Sequence, residues 1–351
     1  MKKGTESCTP EAVRALEMIL SRAHAVCICA HAHPDGDAVG SCLGLLHYLR
    51  ENRGLDARVV LPDEVPGTLS FMVRDDDRAF LTEADKEKER AGEIISGCDL
   101  LFVLDCSGPS RTEALESAVR ASGAVKVLID HHVNPEKEGF DLVFSETEIS
   151  SACELLFNIL MSLPDVAGDA GNLPAAAVKA LMTGMTTDTN NFANSVFPST
   201  LGMASALLAA GAPRDGILMD LYQSYRENRF RLMGYMLGKM EITPEGAAIM
   251  ILTRAEAERF GIEEGETEGF VNMPLGIAGV RLSVFLKEED GKFRFSSRSK
   301  PGTSARLLAA GWFHGGGHEC AAGGKLLIPE DIPSPDGAES YVRKALKEFL
   351  G

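Results

Sequence analysis

Three features predict an α/β fold, with a mostly parallel sheet flanked by helices, for the front of this 351-residue chain. Short apolar runs at residues 25–30, 57–61, 99–104 and 125–129 alternate with helix-like segments, the pattern of βαβ units. Three of these runs empty directly into carboxylates or imidazoles: His31-Ala32-His33-Pro34-Asp35-Gly36-Asp37, then Asp105, then Asp130-His131-His132. The carboxyl edge of a parallel sheet collects functional groups in this way. The length exceeds one average core, so a second domain is expected.

Thr9-Pro10-Glu11 starts a helix that runs to about residue 23: a capping hydroxyl, proline in the first turn, and an acid near the positive dipole end. There follow a strand at 25–30, a helix at 37–50, strands at 57–61 and 99–104, a helix at 112–121, strands at 125–129 and 142–144, and a helix at 150–161. Residues 173–186 read as a helix ending at an acidic turn, Thr187-Asp188-Thr189. Residues 199–241 are helical throughout, broken at Gly211-Ala212-Pro213, with 226–240 as one amphipathic piece. Beyond 242 the pattern turns strand-rich, at 247–252, 278–286, 292–297 and 325–328, and a helix at 338–350 closes the chain. The expected division is a first α/β domain over 1–198, a helical connector over 199–241, and a smaller second α/β domain over 242–351.

Composition narrows the function. A formal charge of −16 repels polyanions, which disfavours a binder of long nucleic acid, whereas a small phosphorylated substrate remains compatible. Runs such as Asp75-Asp76-Asp77, Glu263-Glu264 and Glu288-Glu289-Asp290 are read as solvated surface. No apolar stretch approaches the ~20 residues that cross a bilayer, and the amino terminus lacks the apolar core of a secretory leader. Eight cysteines show no CxxC pair, and Cys27 and Cys29, alternate on a strand, fit core packing. A reducing, cytoplasmic location is expected.

His31, Asp35 and Asp37 form a hard N/O donor set suited to Mn²⁺ or Mg²⁺, with Fe or Zn less favoured. Pro34-Asp35-Gly36 is equally a favoured turn sequence, and an isolated Asp105 or Asp188 reads as a helix cap. Three adjacent ionisable groups after a buried strand, Asp130-His131-His132, are costly without partners. Together, His31, Asp35, Asp37, Asp105, His131 and Asp188 suffice for two cations about 3.5–4 Å apart. In the second domain, Ser296-Ser297-Arg298-Ser299 ends a strand and Gly315-Gly316-Gly317-His318 follows. Glycine backbone exposes N–H groups to a phosphate, and Arg298 can grip one bidentately.

These motifs resemble the DHH phosphoesterase superfamily, in the branch whose second domain is DHHA1 and which includes bacterial nano-RNases and pAp phosphatases. His31–Ser41 carries the pattern His-x-x-Pro-Asp-Gly-Asp-Ala-x-Gly-Ser; Asp105, Asp130-His131-His132 and Gly184-x-x-x-Asp188-Thr189 supply the others. The resemblance implies one metal on His31, Asp35 and Asp105, and another on Asp37, Asp105, His131 and Asp188. His132 would contact the scissile phosphate, Asp130 would support the histidines from behind, and Arg298, Gly316, Gly317 and His318 would bind the substrate's terminal phosphate. It also implies an active-site cleft between the two domains. Two departures stand out: Asn190-Asn191-Phe192 where relatives often carry glycine after Asp-Thr, and His33 at a position often basic. Trp312, Phe313 and Phe270 are expected in the core rather than stacked on a base.

The function implied is hydrolysis of short oligonucleotides and 3′-phosphoadenosine 5′-phosphate (pAp) by a water activated between two cations, with Mn²⁺ favoured and Mg²⁺ or Co²⁺ as alternatives. A cyclic- or linear-dinucleotide phosphodiesterase is the nearest rival, and a non-catalytic nucleotide-binding regulator is the rival of another class. The apolar connector helices offer a face for a homodimer.

Overall fold

The structure is a computed structural model that describes residues 8–263 and 265–351. The leader reading depends partly on residues 1–7, and one acidic run includes Glu264; both lie outside the described residues. The chain divides into two compact units at Ser224–Tyr225.

The first unit opens with α1 (Pro10–Leu20), β1 (Ala25–Cys29), α2 (Gly36–His47), β2 (Asp56–Leu61), β3 (Leu81–Glu83) and α3 (Lys88–Gly97). It continues with β4 (Leu100–Leu104), α4 (Glu116–Ala121), β5 (Val125–Asp130), β6 (Leu142–Ser145), α5 (Ala152–Met161), α6 (Ala175–Asp188), α7 (Pro198–Ala209) and α8 (Arg214–Tyr222). Its six strands lie in the order β3-β2-β1-β4-β5-β6, every neighbouring pair parallel. All five residues of β4 are buried, the uniform apolar run of a strand covered on both faces. The strand order reverses between β1 and β4, so the segments leaving these neighbours open a crevice at their carboxyl ends.

Helix α2 is buried along all twelve residues. Gly36, Gly40 and Gly44, four apart, form a bare stripe against α6. A Cβ on Gly40 would stand 2.8 Å from the Ala180 carbonyl oxygen and 3.0 Å from Gly184 Cα; one on Gly44 would stand 2.9 Å from Leu181 Cδ2. From the other side, a Cβ on Gly184 would lie 2.3 Å from Cys153 Sγ. Only glycine permits this backbone approach, and the approach brings the start of α2 beside the end of α6.

The second unit contains α9 (Glu227–Lys239), β7 (Glu241–Ile242), β8 (Ala247–Leu252), α10 (Arg254–Phe260), β9 (Leu282–Glu289), β10 (Lys292–Ser299), α11 (Ala305–Trp312), β11 (Gly316–His318), β12 (Ala321–Leu327) and α12 (Ala338–Leu350). Its sheet runs β11-β12-β10-β9-β8-β7, antiparallel except for the β8–β9 pair. Phe293, Phe295 and Phe313 fill its core, Phe295 and Phe313 stacking at 3.7 Å between centroids. On the opposite face Phe270 and Phe285 pack with Leu232 and Met236 of α9.

Several boundaries differ from expectation. The helical stretch 199–241 is not one connector: α7 and α8 belong to the first unit and α9 to the second. Helix α6 continues through Asp188, so this residue ends a helix instead of occupying a turn. The glycine cluster forms the edge strand β11, paired with β12, because Gly315 and Gly324 let neighbouring backbones come closer than a side chain allows. The elements β3, α3, β7, α10 and α11 were not anticipated.

Gly40→Ala is expected to lose about 1–3 kcal/mol of stability from overpacking. Urea denaturation checks this; an unchanged midpoint would contradict the close α2–α6 approach.

Candidate metal centre

The crevice between β1 and β4 gathers every predicted residue of the first unit. His31 leaves β1 buried, and its Nδ1 donates to the Ala32 carbonyl oxygen at 2.9 Å. That bond commits Nδ1 and turns Nε2 toward the acids, 3.4 Å from Asp105 Oδ2 and 3.9 Å from Asp35 Oδ1. Asp35 caps α2, its Oδ1 accepting from the backbone N–H groups of Asp37 and Ala38 at 3.0 and 3.1 Å. Asp37, one turn inside the crevice, accepts from the N–H groups of Ala152 and Cys153 at 2.6 and 2.9 Å. Those donors are the amino end of α5, where unpaired N–H groups and the dipole favour an anion.

Asp105 follows β4 with φ of 49°, a left-handed conformation that a non-glycine residue adopts at some cost. It is buried. Its Oδ2 faces His31, while its Oδ1 lies 3.3 Å from His131 Nε2 without forming a hydrogen bond. At the end of β5, His131 Nε2 also stands 3.9 Å from Asp37 Oδ2 and 3.7 Å from Asp188 Oδ2. Asp130 is fully buried; its Oδ1 accepts from His132 Nδ1 at 2.8 Å and its Oδ2 from the His132 backbone N–H at 3.2 Å. The support expected from Asp130 for both histidines is therefore described for His132 alone.

Charge is crowded here. Burial opposes charge on His31, yet Asp105 and Asp35 outweigh it and raise the imidazole to about 9. The same contest at His131, with Asp105, Asp188 and Asp37 pulling, raises it to about 10. Burial and repulsion from Asp105 lift Asp37 to about 7. Burial and repulsion from Asp37 push Asp188 well above the carboxylate range. Burial would raise Asp105 too, but His131 and His31 hold it well below. Without cations, protons on the imidazoles offset the carboxylate charge.

Two ligand sets have their donor atoms within 4.8 Å of one another: His31, Asp35 and Asp105, and Asp37, His131 and Asp188. A third set joins Asp105, His131 and His132, but His132 Nδ1, 3.7 Å from Asp105 Oδ1, is already committed to Asp130. A pair of divalent cations fits these residues. The buried Asp105 Oδ1 has no hydrogen bond, the two Asp105 oxygens face different imidazoles, and the donors are hard oxygens with two nitrogens.

Two signals were available but unread in the sequence. One is the glycine stripe of α2. The other is Ser151-x-x-Glu154, the start signal of α5, where Ser151 Oγ accepts from the Glu154 N–H at 3.0 Å and orients the donors of Asp37. His33 is exposed, and its N–H donates to Asp63 Oδ2 at 2.6 Å. Asn190, Asn191 and Phe192 all carry positive φ (46°, 53° and 67°), so the segment after Asp188 keeps a glycine-like path without glycine. Phe270 and Phe313 lie in the core, and Trp312 packs edge-on against Tyr341.

In the second unit, register aligns His318 with Ala321 and Ala321 with Arg298 across three strands, placing His318 and Arg298 on one face. Gly317 has φ of 140°, and a Cβ there would meet the Ala321 carbonyl oxygen at 2.6 Å. Gly316, beside it, has open space above its backbone.

A doubly wound parallel sheet with an Asp/His cluster at its switch point, followed by a separate α/β unit, defines a two-unit α/β protein with a candidate dinuclear metal centre. Residues 25–185 match the DHH family, N-terminal domain, and residues 247–335 match the DHHA1 domain. The chain belongs to the DHH family. It is 31% identical over 303 residues to the bifunctional oligoribonuclease and PAP phosphatase NrnA of Thermus thermophilus, covering 85% of this chain and 83% of that protein. To the Bacillus subtilis protein of the same description it is 28% identical over 300 residues, covering 84% and 87%. The solved structure of an exopolyphosphatase-related protein from Bacteroides fragilis matches with a TM-score of 0.90 at 32% identity, covering 100% of this chain and 98% of that one. Among the described residues, no helix is long and apolar enough to cross a membrane.

A folded pKa above the unfolded value means that the native state holds extra protons. This stabilisation is complete below the unfolded pKa and is lost as pH rises through the folded one. For Asp37 the loss runs up to about 7, for His31 to about 9 and for His131 to about 10. The melting temperature in EDTA is expected to fall by several degrees from pH 5 to pH 9. Millimolar Mn²⁺ should remove most of the decline, since a cation takes the place of those protons. Thermal scans with and without Mn²⁺ check both.

Proposed function

We propose that this chain is a divalent-cation-dependent phosphoesterase that hydrolyses short oligoribonucleotides and 3′-phosphoadenosine 5′-phosphate, with Mn²⁺ as its working cation. The observation that carries the reading is the buried Asp105, whose two carboxylate oxygens face His31 and His131 separately. His31, Asp35 and Asp105 would hold one cation, and Asp37, Asp105, His131 and Asp188 the other. When bound, the two cations supply positive charge that polarises a phosphoryl group and acidifies water. The relatives described as oligoribonucleases and PAP phosphatases support the substrate class.

The chain's own residues divide the remaining work. Asp130 accepts from His132 Nδ1, which fixes the tautomer and ring orientation. His132 Nε2 is then the nitrogen presented to substrate; it donates to a phosphoryl oxygen when the ring carries its second proton, and the Asp130 carboxylate stabilises that imidazolium as charge grows in the transition state. The α5 amino end holds Asp37 rigid, and the Ala32 carbonyl holds His31, so neither ligand must be ordered during binding. Arg298 and His318 bind the substrate's other phosphate, with Gly316 and Gly317 leaving room for close approach. The net charge of −16 disfavours polymers and leaves short substrates.

Asp105→Ala is expected to lower kcat/KM at least about a thousandfold on both substrate types, since one side chain serves both cations. His132→Ala is expected to lower kcat about 10²–10³-fold while bound metal, measured by elemental analysis, stays constant. A panel of pAp, oligonucleotides of two to five residues, linear pApA and cyclic di-AMP, run with Mn²⁺, Mg²⁺ and Co²⁺, tests the substrate class. Exclusive turnover of the cyclic compound would replace the reading with that of a signalling phosphodiesterase. Retained Mn²⁺-dependent activity in Asp105→Ala would overturn it.

A further inference from the structure

Glu154, on the first turn of α5, is a fully buried carboxylate outside every candidate ligand set. Its Oε2 accepts from the Ser150 N–H at 3.1 Å, from the Ser150 hydroxyl, and from Thr200 Oγ1 at 2.7 Å. Its Oε1, also buried, has no hydrogen bond. Taking a carboxylate out of water is costly unless hydrogen bonds replace the lost hydration. An acid that only starts a helix needs no more than the residues just before it, and it works at the surface. Glu154 does more, because its third donor comes from α7, 46 positions later. The Thr200 hydroxyl accepts from the Phe197 N–H at 3.1 Å, which leaves its own proton for Glu154.

These bonds meet at the amino end of α5, whose Ala152 and Cys153 N–H groups hold Asp37. The start of α7 is the far end of the segment that leaves Asp188. Glu154 therefore joins the element that holds Asp37 to the element reached from Asp188, and those two acids share a ligand set with His131. The other set has separate supports: the Ala32 carbonyl holds His31, and the N–H groups of α2 itself hold Asp35. We propose that Glu154, locked by Thr200, is a positioning residue for one cation of the pair, the one on Asp37, His131 and Asp188. The inference rests on the two-cation reading and adds the residue that lets one site be tuned without the other. Ser151 caps α5 from the chain in front of it, and Glu154 pins the same turn to a second helix. With both in place, the donors of Asp37 keep their direction when its carboxylate is drawn toward a cation. Removing a support of this kind changes metal affinity about 10–100-fold.

The test is Mn²⁺ titration of the cation-free full chain, with unbound Mn²⁺ read by electron paramagnetic resonance, alongside amide hydrogen exchange in EDTA. Thr200→Val keeps the side-chain shape and removes the hydroxyl. It is expected to weaken one of two bound ions about tenfold and to change the other by less than about twofold. In EDTA it should speed exchange at Ala152 and Cys153 about tenfold, with the amides of β4 unchanged. Thr200→Ser keeps the hydroxyl and Glu154→Gln keeps an acceptor oxygen of the same reach, so each should stay within about threefold of the unaltered chain. Equal weakening of both ions, or faster exchange throughout the unit, would reduce Glu154 to general packing and overturn the proposal. So would unchanged affinities in Thr200→Val, or a loss in Glu154→Gln as large as in Thr200→Val. The two readings fail separately. Fewer than two Mn²⁺ on the unaltered chain would sink the dinuclear centre, while exchange in EDTA still decides whether Glu154 and Thr200 hold the turn that supports Asp37. Two ions bound with no selective loss would sink the positioning role alone.

Discussion

A carboxylate buried between two imidazoles organises the first unit. Asp105 could not be placed there alone: an ionised group out of water must find partners, and its neighbours Asp35, Asp37 and Asp188 bring further negative charge. The fold answers at several points. Helix amino ends donate to Asp35 and Asp37, the imidazoles of His31 and His131 flank Asp105, and Asp105 accepts a left-handed backbone to reach its position. One oxygen still lacks a hydrogen bond. Without cations, protons held by His31 and His131 offset the carboxylate charge, and a divalent cation that displaced those protons would find its donors already in place.

The second constraint is how closely α2 and α6 approach. Asp37 begins one helix and Asp188 ends the other, 151 positions later by their numbers, yet both must stand beside His131. Glycines at 36, 40, 44 and 184 remove the atoms that would hold the helices apart. Packing of apparently featureless small residues therefore sets the spacing of the donor atoms, and the site's chemistry depends on contacts that carry no chemistry themselves.

Some of this was legible in the residues. Parallel strands buried on both faces appear as unbroken apolar runs, which is why β1, β4 and β5 were found within a residue or two and why their polar exits stood out. The short strand β3 and the helices α3, α10 and α11 were not found. In α3 only Ala91 and Ile95 are buried, too few to leave a periodic signal. The glycine run reads as a loop because glycine weakens a strand, and its pairing with β12 depends on a partner that local sequence does not reveal. The helical stretch 199–241 has one texture but is divided between two units.

Read along the chain, the residues establish which side chains this protein offers: imidazoles and carboxylates at the ends of buried strands, and an arginine near a glycine cluster. Hydrophobic periodicity and the cost of burying charge are local properties, so they can be read along the chain. Tertiary structure alone decided the arrangement. It turned Nε2 of His31 and His131 to opposite oxygens of Asp105, gave the Asp130 hydrogen bonds to His132, and set His318 and Arg298 on one face of the second sheet. Those outcomes depend on register and helix approach, and both are set by contacts between residues far apart in the chain.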